Sequence, residues 1–118
     1  MAGAASSLLA ADLEACCRPV TSGAIDAGAA TRLAQAFRAL ADPTRVRLLS
    51  LIAAHAGGRA CVCELTKPVG LSQPTVSHHM KQLVDAGLVR RDQCGKWAYY
   101  SVDKTALNAL AAALQQRD

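Results

Sequence analysis

From Ala29 onward the apolar positions recur at helical spacing, with Leu33, Phe37 and Leu40 on one face, the period of an amphipathic helix. Asp42-Pro43-Thr44 then predicts a helix start, with Asp42 as N-cap and Pro43 at the first helical position. That helix carries Val46, Leu49 and Ile52 and stops at Gly57-Gly58. A short helix is predicted over about Cys63–Val69, closed by Gly70. Ser72 opens another that runs to Ala86-Gly87, with Val76, Met80, Leu83 and Val84 as its core-facing stripe. Two helices joined by a three- or four-residue turn containing glycine make a helix-turn-helix.

Past Gly87 the pattern changes. Leu88–Asp92 and Trp97–Val102, the latter rich in strand formers, flank Gln93-Cys94-Gly95-Lys96 and predict a β-hairpin. Asp103 caps a last helix whose Leu107, Leu110, Ala111 and Leu114 form an apolar face. A domain this small leaves that face little to cover, so it predicts packing against the same helix of a second copy. Residues 1–28 mix Ala, Ser, Gly and Pro without a long amphipathic repeat. They read as a loosely attached arm with a short helix around Leu8–Cys17. The expected architecture is mainly α with a β-hairpin wing: a winged helix-turn-helix homodimer, with an arm at 1–28 and a DNA-binding and dimerisation domain at 29–118.

Charge sharpens this picture. The net charge is +4, yet Arg18 stands against Asp12, Glu14 and Asp26 in residues 1–30, a balance of −2 that leaves +6 on the remainder. The surface facing a polyanion is therefore expected outside the arm. No apolar run approaches the roughly 18–20 residues of a membrane span, and the start lacks the basic n-region of a signal peptide. A cytoplasmic protein without a membrane partner is expected. In the fourth helix, Gln73, Thr75, Ser77, His78 and Lys81 occupy the leading turns, where a recognition helix meets base edges and phosphates of duplex DNA. Arg90, Arg91 and Lys96 put positive charge on the hairpin, where a wing meets the adjacent DNA backbone.

The five cysteines are Cys16, Cys17, Cys61, Cys63 and Cys94. In a cytoplasmic chain they argue against structural disulfides. An odd number arranged as C-C and C-x-C points to thiolates for a soft metal, a metalloid or redox chemistry. A lone cysteine is more often a small buried apolar residue, and Cys94 at the hairpin tip reads as a bystander. A small thiol enzyme is disfavoured, since there is no C-x-x-C and no Gly-rich anion loop beside a nucleophilic cysteine. At spacing i, i+2, Cys61 and Cys63 would lie on nearly opposite sides of a regular helix. They can share one ion only if the first turn is distorted or Cys61 precedes the helix.

The succession ALADPTRVRLLSLI, CVCEL, GLSQPTVSHHMKQLVDAGLVRR and YYSV closely resembles the ArsR/SmtB family over about residues 30–116. The resemblance implies dimeric winged-helix repressors, paired through their first and last helices, that leave operator DNA when a metal or metalloid binds. The family's zinc site on the last helix is not expected, because Lys104–Asp118 has no His, Glu or Cys. CVCEL resembles the arsenical-sensing branch and implies Cys61 and Cys63 as ligands of As(III) or Sb(III). That branch often has another Cys where this chain has Thr66. A third thiolate is then expected from the vicinal pair Cys16-Cys17, since other members use such a pair near the N-terminus. Trivalent arsenic is soft and takes three thiolates, and a helix N-terminus favours the thiolate form. The expected function is a metalloid-responsive repressor. The alternatives are a Cd(II)/Pb(II)-sensing repressor and a thiol-redox repressor.

Overall fold

A computed structural model describes residues 19–116. The helix expected around Leu8–Cys17 and the Cys16-Cys17 pair lie outside them. The elements are α1 (Ala27–Leu40), α2 (Pro43–Ala54), a 3-10 turn (Ala56–Gly58), β1 (Arg59–Cys61), α3 (Val62–Val69), α4 (Gln73–Asp85), β2 (Val89–Cys94), β3 (Trp97–Val102) and α5 (Lys104–Leu114).

The helix starts are made by local chemistry. Asp26, Asp42, Ser72 and Asp103 each accept a hydrogen bond from the backbone N–H three residues on, as an N-cap does. Helix α3 ends at Gly70, whose φ of +67° is left-handed, a conformation glycine adopts without the steric cost of a Cβ. The hairpin turns on Gly95-Lys96 alone, with Cys94 paired to Trp97 and Gly95 at φ +61°. This loop is two residues shorter than the expected Gln93–Lys96. A two-residue loop with glycine first matches the right-handed twist of its strands.

The largest difference from expectation is β1. Its three residues pair antiparallel with β3, Cys61 opposite Tyr99, giving the sheet order β1-β3-β2. Three residues carry no usable alternation, so only the partner strand defines this element.

The core sits where α2, α3 and α4 meet the sheet. Leu48, Ile52, Leu65, Val76, Met80, Leu83, Leu88 and Val89 are fully buried there, each contributing roughly 1.5–3 kcal/mol. In α2 the inward stripe is Leu48 and Ile52, four residues apart, while Val46 is 50% exposed, so the expected Val46–Leu49–Ile52 face is rotated. In α1 the small residues Ala29, Ala36 and Ala39 join Leu33 in the buried face, and Phe37 and Leu40 are half-buried. Helix α5 also divides. Ala106, Ala109, Leu110 and Ala113 are buried within the chain, whereas Ala111 is exposed and Leu114 is 55% exposed. The small side chains let α5 lie close to the body, so the chain itself covers Leu110. Residues of the expected arm contribute here: Val20 and Ile25 pack against the core, and the Val20 N–H donates to the Ala113 carbonyl at 2.8 Å.

Candidate nucleic-acid interface and cysteine site

Helix α4 presents its polar side outward. Val76, Met80 and Leu83 pin it to the core, which leaves Gln73, Thr75, His78 and Lys81 exposed and Ser77 half-buried. The Ser72 and Thr75 hydroxyls lie 2.9 Å apart, so Thr75 is tied to the cap as well as exposed. Lys81 pairs with Asp85 one turn on, at 2.8 Å with both side chains exposed. In water such a pair is worth only a few tenths of a kcal/mol, and a phosphate can readily displace it. His79 turns away from this side. Its Nδ1 lies 3.4 Å from an Arg45 nitrogen, while Arg45 donates to the carbonyls of Ala39 and Arg38 at the end of α1. Arg45 and His79 therefore join α1, α2 and α4.

On the wing the three basic residues differ. Arg91 is exposed and donates to Gln93 Oε1 at 2.9 Å, and Lys96 is exposed in the turn. Arg90 Nε reaches the Asp103 carboxylate at 3.3 Å. Asp103 is 1% exposed and also caps α5. A buried carboxylate needs such partners, so Arg90 anchors the hairpin's base to α5. The sequence placed Arg90 with the other wing cations because a contact thirteen residues away has no local signature.

The cysteines are brought together by the unexpected strand. Cys61 ends β1 and is the N-cap of α3, with extended backbone (φ −89°, ψ 165°). Cys63 lies in the first turn. Because Cys61 precedes the helix, the two side chains do not diverge, and their Cα atoms are 5.4 Å apart. The structure joins Cys61 and Cys63 by a disulfide. This corrects the expectation of no disulfide, and the cause is the placement of Cys61 outside the helix. Cys63 is exposed and Cys61 buried. Glu64 accepts the Cys61 N–H at 3.0 Å, half of a capping box in which a cysteine stands where Ser or Thr usually does. The other Glu64 oxygen is 2.8 Å from His55 Nε2.

The sulfur pair and residues expected to face DNA share one depression of about 260 Å³, lined among others by Cys61, Cys63, Gln73, Ser77, Arg91 and Lys96. A second depression of about 370 Å³ shares Cys61, Cys63 and Trp97 and adds His55, Arg59 and Glu64. Arg59 lies over the Tyr99 ring at 4.3 Å, a cation–π contact. Among the described residues, no group of three or more His, Cys, Asp and Glu side chains is placed to hold a metal ion. Cys94 is exposed and free at the end of β2. Among the described residues no helix is long and apolar enough to cross a membrane.

Sequence and structure comparisons agree with this arrangement. Residues 42–91, from the start of α2 into the wing, match the model of the bacterial regulatory protein, arsR family. The arsenic resistance transcriptional regulator ArsR1 of Pseudomonas putida is 48% identical over 54% of this chain, a stretch spanning 48% of that regulator's length. A putative arsenical resistance operon repressor of Halobacterium salinarum is 40% identical over 78% of this chain and 75% of its own. A cadmium resistance transcriptional regulatory protein homolog of Staphylococcus aureus is 34% identical over 73% of this chain and 71% of its own. Among solved structures, the antimony-specific transcriptional repressor AntR superposes with a TM-score of 0.62 at 30% identity, covering 80% of this chain and 84% of that one. The homodimeric winged helix-turn-helix DNA-binding domain of a Mycobacterium bovis regulator gives a TM-score of 0.62 at 26% identity, covering 77% and 84%. With its helix-turn-helix and wing, its match to the family model over residues 42–91 and a relative 40% identical over 78% of its length, the chain belongs to the ArsR family of bacterial regulatory proteins.

Proposed function

We propose that this chain is a homodimeric transcriptional repressor that binds operator DNA through α4 and the wing and releases it when As(III) or Sb(III) binds cysteine thiolates. The observation that carries this reading is the meeting of Cys61 and Cys63 in one depression with Gln73, Ser77, Arg91 and Lys96. In the reduced state two soft donors lie beside the side chains that face DNA. An ion bound there changes the first turn of α3 and the floor under the recognition helix together.

Cys16 and Cys17 supply the remaining thiolate in this reading, since trivalent arsenic favours three. The names of the arsenic- and antimony-responsive relatives support the choice of ion. Pairing of two copies is supported by the exposed Ala111 and Leu114 on α5 and by the homodimeric neighbour. Two recognition helices then face successive major grooves about one helical turn apart. For a thousandfold loss of operator affinity the ion must favour the low-affinity state by about 4 kcal/mol.

A second reading has its own observation. The Cys61–Cys63 disulfide is the oxidised state a thiol-redox repressor would use, while the cadmium-related homolog keeps Cd(II) and Pb(II) among the ions to test. Labelled operator–protein complex, reduced and then titrated separately with arsenite, antimonite, cadmium, lead and peroxide, distinguishes them. Release by arsenite or antimonite at the lowest concentrations supports the proposal. Release by peroxide alone assigns the redox reading, and release by cadmium or lead alone assigns the divalent-ion reading.

A further inference from the structure

Two polar side chains beside the sulfur pair lie outside the set expected to face DNA: His55 and Glu64. His55 closes α2, Cys61 closes β1, and Glu64 lies in the first turn of α3. The Glu64 carboxylate ties all three together, one oxygen accepting the Cys61 N–H at 3.0 Å and the other meeting His55 Nε2 at 2.8 Å. His55 Nδ1 is buried with no hydrogen-bond partner, so Glu64 is the polar contact that orients the ring.

We propose that Glu64 is a positioning residue for the sulfur pair, holding Cys61 as the N-cap of α3 so that both sulfurs can close on one ion, with His55 holding the carboxylate. The inference rests on the reading of Cys61 and Cys63 as the effector site, and it names what builds that site. Cysteines two apart diverge on a regular helix, so the pair converges only while Cys61 stays outside it. An N–H accepted by an N3 carboxylate marks the boundary where a helix begins. Without that acceptor the Cys61 N–H is free and the sulfur can swing away. Each thiol then remains reactive singly, but the advantage of two donors on one ion is lost. Groups that orient metal ligands in this way typically change affinity by about 10–100-fold when removed.

The test uses the full chain carrying Cys16→Ser, Cys17→Ser and Cys94→Ser, reduced, so that only the pair binds. Phenylarsine oxide, which must bridge two thiols, reads the pairing. Iodoacetamide, which alkylates one thiol at a time, reads single-thiol reactivity, and operator affinity checks the fold. Glu64→Ala is expected to weaken phenylarsine oxide at least about tenfold, with alkylation rate and operator affinity within about twofold of the parent. Glu64→Gln keeps an oxygen for the Cys61 N–H, since glutamine serves in capping boxes, and is expected to stay within about threefold. Unchanged phenylarsine oxide affinity in Glu64→Ala overturns the inference. So does a loss in Glu64→Gln as large as that in Glu64→Ala. A parent protein that does not bind phenylarsine oxide at all instead removes the sulfur-pair reading, and the inference falls with it.

Discussion

Helices α3 and α4 are the two halves of one helix-turn-helix, but they are held by different means. Helix α4 has 13 residues, a serine cap, a proline in its first turn and three fully buried anchors, Val76, Met80 and Leu83. Helix α3 has 8 residues, a proline inside it, and Leu65 as its one fully buried side chain. Its start depends on a carboxylate braced by His55 from the end of α2 and on the short strand β1. A helix that must present side chains to base edges gains from rigid anchoring. A helix that answers to a bound ion, as proposed for α3, gains from a start that a few contacts decide. On the proposed function, the element that reads DNA is built from local chemistry and burial, and the element that senses the ion from contacts between distant segments.

The largest effect is expected at the anchors of α4. Met80→Ala removes a fully buried side chain and is expected to cost about 2–5 kcal/mol, measured by urea unfolding. Operator affinity should fall with it, because the recognition helix loses its seat. Ser72→Ala removes the α4 cap and should cost about 1 kcal/mol, read as a lower melting temperature. Its effect on arsenite affinity should be small, since Ser72 touches neither sulfur.

Smaller effects test the wing and the support beneath both helices. Lys96→Ala should make the dependence of log affinity on log salt shallower by about one without changing base preference, measured by operator binding over a salt series. Asp42 caps α2, against which α3 and α4 both pack. Chiefly the hydrogen bond from the Arg45 N–H, helped by the Arg45 and His79 charges and opposed by desolvation, holds its carboxyl below the usual range. A depressed folded value gives stability that is present above the unfolded value and lost as pH falls through the folded one. Acid unfolding below about pH 4 should therefore be less steep in Asp42→Asn, which keeps the cap but does not titrate.

What was legible in the sequence follows the same division. Asp42, Ser72 and Asp103 act as the caps their neighbours predict, because a cap is settled within four residues. The recognition helix and its inward stripe at Val76, Met80 and Leu83 were legible for the same reason. Strand β1 was not, since Arg59-Ala60-Cys61 becomes a strand only against Ser101, Tyr100 and Tyr99. The pairs Arg90–Asp103 and Arg45–His79 were equally hidden, each joining segments that sequence spacing does not relate. One signal was present and passed over. Glu64 stands three residues after Cys61, the spacing of a capping box, and it would have placed Cys61 just before α3 and the two sulfurs together.

Whether the proposed sensor is the sulfur pair at the start of α3, with α4 and the wing reading DNA, is decided by one titration. Operator complexes of the unaltered chain and of Cys61→Ser/Cys63→Ser are reduced and titrated with arsenite while release is followed by fluorescence anisotropy. Serine is close to cysteine in size but gives no thiolate at neutral pH, so the doubly substituted chain should bind operator as tightly as the unaltered one. It should then stay bound at arsenite concentrations that release the unaltered chain. Release of both chains at the same arsenite concentration would place the sensor at other cysteines and overturn the assignment of Cys61 and Cys63.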